Sequence, residues 1–237
     1  MTRLLARSAL AAATLVASLA LPGAASAKLV ELGALADSDI GSCPEAGITP
    51  VAVPPDESCQ ALTKLTGYQA KVGPDRGLYQ APADGRIVAW TIALGKPGPK
   101  QLTYFRDRYD GDAAAALVVL SPGKKLARTA AAKAPLQKLT PFFGTTVQFP
   151  LDRTLAIRKG QYVGLTVPTW APAMQLGRAA DTSWRSSRDA SGCFDYTTQF
   201  GLLGKRTTAA FRCLYKGVRM TYSATFVPTP QPAAASR

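Results

Sequence analysis

The stretch GRIVAWTIALG, residues 85–95, is an almost unbroken apolar run between two glycines. In extended backbone, Val88, Trp90, Ile92 and Leu94 share one face, and Ile87, Ala89, Thr91 and Ala93 share the other. A short run that is apolar on both faces reads as a strand buried on both sides. Its lead-in, YQAPADG, supplies a turn through Pro82 and Asp84-Gly85. The same pattern repeats outward. AAAALVVLSPGKK is ambiguous from periodicity alone, but Val118, Val119 and the Pro-Gly turn favour a strand. Thr145–Leu151, Leu155–Arg158 and Gln161–Val167 read as further extended segments, with a turn at Lys159-Gly160. QLTYFRDRYDGD reads as a polar-ended strand running into a turn. GVRMTYSATFV alternates Val218, Met220, Tyr222, Ala224 and Phe226 against polar neighbours, a half-buried last strand. Many short strands separated by turn residues predict an all-β fold: a single antiparallel β-sandwich, jelly-roll-like.

Composition agrees. Glu is scarce, whereas 18 prolines and 20 glycines supply turns. Residues 1–27 have the layout of a secretory signal peptide. Arg3 and Arg7 precede an apolar run from Leu10 to Leu21, followed by Ala25-Ser26-Ala27. The run is shorter than the roughly 20 residues a membrane-spanning helix needs, and no later stretch reaches that length. The remaining chain, about 210 residues, suits one domain over 28–226. Within it, 28–80 is a disulfide-bearing segment and 81–226 the core sandwich. Residues 227–237, rich in Pro and Ala, read as a disordered tail. The expected localisation is secreted, extracellular or associated with the cell envelope.

All four cysteines follow residue 27. An even count in an exported chain predicts disulfides, and four cysteines allow three connectivities. Their grouping into an N-terminal and a C-terminal pair favours Cys43–Cys59 and Cys193–Cys213. The formal net charge is +13, of which Arg3 and Arg7 contribute two. That favours anionic partners such as an envelope polymer or acidic glycan. Its plainer reading is a solubilising surface. The basic residues are scattered, with no basic helix or aromatic RNA-binding motif, so no specific nucleic acid is expected.

The chain has no histidine. This removes Ser-His-Asp and Cys-His catalysis, histidine metal sites and the commonest general base. Glycoside hydrolysis needs only two carboxylates. The candidates are Asp107, Asp110, Asp112, Asp152, Asp181, Asp189, Asp195, Glu31, Glu45 and Glu57, and their spacing marks no pair. In DRYDGD, Asp107, Asp110 and Asp112 offer oxygen ligands for calcium, but without EF-hand spacing or its distal Glu. No cofactor and no metal centre is expected.

The stretch TSWRSSRDASGCFDYTTQFG, residues 182–201, concentrates aromatic, Arg and Asp residues around Cys193. With Cys193 and Cys213 joined, the base of a protruding excursion is fixed. Trp184, Arg185, Arg188 and Tyr196 are then expected near one another as a ligand-binding surface, since aromatic faces and planar hydrogen-bonding groups recognise sugars. The competing reading makes Trp184 a cap on the sandwich, its arginines covering it. Trp90 is expected in the core, and Trp170 at a turn over one sheet end.

LAIRKGQYVGLTVPTWAP, TSWRSSRD and FRCLYKGVRMTYSATF resemble segments of secreted, uncharacterised proteins of high-GC actinobacteria. The resemblance runs from about Pro82 to Phe226 and includes the N-terminal cysteine pair. LAIRKGQYVGL is also similar to a motif of jelly-roll and C1q-like sandwiches, which bears on fold alone. Three functional classes follow: a secreted non-catalytic module binding envelope polymer or glycan, a carboxylate-dependent glycan-active enzyme, and a structural envelope protein without a ligand. The first is favoured. A paired Asp/Glu in a cleft points to the enzyme, an aromatic platform without one to the binder.

Overall fold

A computed structural model of the chain describes residues 28–36, 41–43 and 59–230. In chain order the strands are β1 (Val30–Leu32), β2 (Leu62–Val72), β3 (Asp75–Arg76), β4 (Gly85–Ala93), β5 (Ala114–Pro122), β6 (Ala127–Lys133), β7 (Gln137–Lys138), β8 (Thr146–Ile157), β9 (Tyr162–Ala171), β10 (Met174–Gln175), β11 (Ser183–Ser186), β12 (Thr208–Ala210), β13 (Cys213–Lys216), β14 (Arg219–Met220) and β15 (Tyr222–Pro228). One α-helix lies among the described residues, α1 (Pro99–Arg108). A four-stranded sheet, β1-β15-β4-β8, faces a larger sheet, β12-β6-β5-β9-β2-β11-β13, and every pairing is antiparallel. The architecture is the expected all-β sandwich, with the sheets curled toward a half-barrel. The segment set apart as 28–80 supplies β2, which lies inside the large sheet between β9 and β11.

The run 85–95 forms β4, paired with β15 on one side and β8 on the other. Trp90 and Ile92 are fully buried between the sheets, and Trp90 packs against Phe149 at 4.9 Å. Strict alternation fails at one point. A bulge between Ile87 and Ala89 turns Ile87 into the core and leaves Val88 half-buried. Both bounding glycines mark close backbone approach. A Cβ at Gly85 would lie 2.3 Å from the Val227 carbonyl oxygen, and one at Gly95 would lie 1.1 Å from that of Ser42.

β5 shows why AAAALVVLSPGKK has no clear period. Leu117 and Val119 face the inter-sheet core, whereas Val118 and Leu120 belong to a second cluster on the outer face of the large sheet. Leu202 and Phe211, from the segment between Cys193 and Cys213, complete that outer cluster. The segment therefore does not protrude as expected. It folds back over the sheet, held by Phe200 N–H to Lys64 O (2.8 Å), Leu202 N–H to Thr66 Oγ1 (2.7 Å) and Arg206 N–H to Ala130 O (2.9 Å). Arg128 sits over the rings of Tyr68 and Tyr162 beside it.

Three other expectations are corrected. QLTYFRDRYDGD is helix through Arg108, not strand. Pro99 occupies the first turn, where its missing N–H costs nothing, and Gln101 Oε1 accepts from Gly98 N–H at 2.6 Å. Leu102, Phe105 and Tyr109 recur at helical spacing and face the core. Trp170 is no turn residue. It lies in β9, fully buried, with Nε1–H donating to Gly111 O at 2.9 Å. The last strand runs to Pro228, beyond the expected start of the tail, and Thr229 N–H bonds Asp84 O. As expected, Met220, Tyr222, Ala224 and Phe226 point inward.

Both disulfides have the expected connectivity, Cys43–Cys59 and Cys193–Cys213. Lys96 N–H donates to Cys43 O (2.7 Å), tying the first bridge to the end of β4. No helix among the described residues is long and apolar enough to cross a membrane. The proposed signal peptide 1–27, Glu45, Glu57 and the tail from residue 231 lie outside the described residues.

Candidate functional site

β11 has the sequence SWRS, and its alternation splits the predicted site. Trp184 points inward and is only 4% exposed. Its register partner is Tyr215 on β13, and the two rings stack at 4.3 Å with 19° between planes. Arg185 points the other way. It is in register with Tyr68 of the outer cluster, and its Nη1 donates to the carbonyls of Phe211 (3.1 Å) and Arg212 (3.3 Å). Arg185 thus braces the folded-back segment and is separated from Trp184 by the sheet. Trp184 is a packed residue, and it also lines a cavity.

That cavity, about 360 Å³, lies between α1 and the β11–β13 edge of the large sheet. Six aromatic side chains line it: Tyr104, Phe105, Tyr109, Trp184, Tyr196 and Tyr215. Tyr104 and Tyr196 are substantially exposed, and Phe105, Tyr109 and Trp184 are buried. The volume falls in the range of small-molecule sites, roughly 300–1,000 Å³. Burial, the largest influence, raises the phenol pKa of both Tyr109 and Tyr196, partly opposed at Tyr196 by Arg188. Both stay protonated at neutral pH and present O–H groups.

Arg188 is the cation of the site and is 2% exposed. Three of the five guanidinium N–H groups are taken. Nη1 donates to Tyr215 Oη (3.1 Å), and Nη2 donates to Thr63 O (3.0 Å) and Thr63 Oγ1 (2.9 Å). Among the described residues Nε has no partner, and neither has Trp184 Nε1. The guanidinium lies 4.8 Å from the Tyr196 ring centroid and 6.0 Å from that of Tyr215. Ring-face contacts of this kind contribute about 0.5–2 kcal/mol, less than the several kcal/mol that desolvating an ion costs. No carboxylate pairs with Arg188 among the described residues.

The Cys193–Cys213 bridge organises these groups. Cys213 begins β13, two residues before Tyr215, and Tyr215 Oη donates to Cys193 O. Tyr196, three residues past Cys193, is thereby set over Arg188. Of the four predicted residues, Trp184, Arg188 and Tyr196 meet at one cavity and Arg185 does not. Tyr104, Phe105, Tyr109 and Tyr215 were not foreseen there. The signal for the first three was the helix start at Gly98-Pro99 followed by apolar residues at helical spacing.

No Asp or Glu among the described residues lines the cavity. Asp110 pairs with Lys64, and Asp112 pairs with Arg106 at 2.9 Å, so two of the calcium candidates face cationic side chains. Asp107, Asp152, Asp181 and Asp189 are exposed. Asp195 is held well below the usual carboxylate range by hydrogen bonds from Thr198, side chain and backbone, and from Thr197. Glu31 accepts from the hydroxyls of Ser223 (2.5 Å) and Thr225 (2.9 Å) on the other sheet. No group of three metal-ligating side chains occurs among the described residues. Comparison with known protein families, with curated proteins and with solved structures finds no match for this chain.

Proposed function

We propose that this protein is an exported, non-catalytic module that binds a glycan or related polymer of the cell envelope through the aromatic cavity beside the Cys193–Cys213 bridge. One observation carries the reading: among the described residues, six aromatic side chains and no carboxylate line one cavity. Pyranose rings present C–H faces that stack on aromatic rings, while their hydroxyls take hydrogen bonds from phenols and arginine. A two-carboxylate hydrolase needs an acid and a base or nucleophile flanking the bond, and the described residues lining this cavity supply neither. Export is supported by the arrangement of residues 1–27 and by two disulfides, which persist in oxidising compartments.

The test is calorimetric titration of the protein with soluble fragments of purified cell wall. Tyr104→Ala and Tyr196→Ala remove exposed rings, so the melting temperature should move little. Each should weaken binding about tenfold or more, as loss of an aromatic anchor does. Undiminished binding by both variants contradicts the assignment of the cavity.

A further inference from the structure

We infer that the ligand is anionic and that Arg188 receives its negative charge. This rests on the glycan-binding reading above and specifies the class of glycan: sugars bearing one negative charge each, as a uronate carboxylate or a phosphodiester.

Arg188 carries a charge that no carboxylate among the described residues answers. Arg188 is withdrawn from water, yet among the described residues its hydrogen-bond partners are all neutral: one backbone carbonyl and two hydroxyls. Its Nε–H and one Nη1–H remain without an acceptor. Buried ions are ordinarily paired with ions of opposite sign. Lys64, with a side chain 10% exposed, follows that rule by pairing with Asp110, whereas Arg128, 8% exposed, has no carboxylate partner among the described residues and is covered by the rings of Tyr68 and Tyr162. Arg188 differs in lining a cavity. Most of the residues lining that cavity are aromatic or apolar and Arg188 is itself buried, so water screens the charge less than at the surface and its potential extends into the space. A neutral sugar leaves this potential unanswered. A monoanionic sugar stacks on the same rings and supplies the missing counter-charge. Tyr196 over the guanidinium and Tyr215 hydrogen-bonded to it fix the cation's position before the ligand arrives, which limits the ordering cost of binding.

The scattered surface cations are a competing source of anion preference, and the experiment separates them. The full exported chain is titrated with three oligomers: tetragalacturonate, its carboxyl-reduced neutral counterpart, and a glucosylated glycerol-phosphate tetramer. Titrations are run at 0.05 and 0.5 M NaCl. At least one anionic oligomer should bind roughly 10- to 100-fold more tightly than the neutral one, the worth of a charge-assisted hydrogen bond. Which of the two does so identifies the source of the charge. The preference should persist at high salt, because a buried pair is screened far less than exposed charges. Arg188→Gln should abolish the preference, weakening the anionic oligomer at least tenfold more than the neutral one. Arg188→Lys should retain part of it. If Arg188→Gln does not fold, the comparison of oligomers on the native protein at both salts still decides.

Equal binding of neutral and anionic oligomers by the native protein overturns this inference and leaves the glycan reading standing. An anion preference that vanishes at 0.5 M NaCl, or survives unchanged in folded Arg188→Gln, assigns the effect to the surface and overturns it too. Binding of none of the three oligomers overturns both.

Discussion

Replacing Trp184 with alanine separates packing from recognition. The ring is 4% exposed and stacked on Tyr215 at 4.3 Å. Truncating a buried Trp typically costs about 3–5 kcal/mol. Two features of this site pull the value to the low end. The indole N–H has no partner, so its removal relieves a buried unsatisfied donor, worth about 1–3 kcal/mol. The space left behind also joins an existing cavity instead of forming a sealed void. A loss of about 3 kcal/mol is therefore expected, or roughly 6–12 °C in Tm at the 2–4 °C per kcal/mol usual for a chain of this size. Trp184→Phe keeps a ring against Tyr215 and discards the N–H, so it should cost about 1 kcal/mol or less. Urea unfolding followed by circular dichroism measures both, with an unchanged m-value as the check that stability alone has moved. A Trp184→Ala protein within 0.5 kcal/mol of the parent, the scale of surface substitutions, would refute the packing of β11 against β13.

Phe211→Ala tests whether the segment between the C-terminal cysteines is a packed layer. The ring is fully buried against Tyr68, so urea unfolding should show a loss of about 3–5 kcal/mol, and a near-neutral result would restore a free loop. Joint replacement of Cys193 and Cys213 by serine should cost about 3 kcal/mol in thermal unfolding, from the 20-residue separation of the bridge, and a loss below 1 kcal/mol would show that packing alone holds the segment. Burial pushes the Tyr222 phenol well above its ordinary value. The folded state therefore holds this proton more tightly than the unfolded chain, and the contribution is intact below pH 10 and lost as pH rises above it. Stability measured from pH 9 to 11 should fall less steeply in Tyr222→Phe than in the parent, and identical slopes would refute the assignment to Tyr222.

The strands were legible where burial is one-sided or complete over a short run. The alternation of Met220, Tyr222, Ala224 and Phe226 and the apolar run of β4 both read directly. The helix was not, because QLTYFRDR carries only two core-facing positions, Leu102 and Phe105, and exposed Tyr104 with polar and charged residues fills the rest. Its decisive signs, Pro99 in the first turn and Gln101 reaching back to Gly98, are local capping chemistry that periodicity does not register. The outer-face layer was hidden for a different reason. Val118 and Leu120 made β5 apolar on both faces, but nothing in β5 says that Leu202 and Phe211, more than 80 residues on, are what cover it. The candidate site was half legible. Clustering in sequence brought Trp184, Arg188 and Tyr196 together, yet strand alternation at β11 sent Arg185 to the opposite face. Tyr104 and Tyr215 reach the cavity only through tertiary packing.

The central claim is that the aromatic cavity beside the Cys193–Cys213 bridge holds the ligand. Calorimetric titration of native protein and Tyr196→Ala with the same cell-wall glycan fragments, each protein first shown to have an unchanged Tm, tests it most directly. Saturable binding by the native protein and at least tenfold weaker binding by the variant are expected. Equal affinity of the two proteins would contradict it.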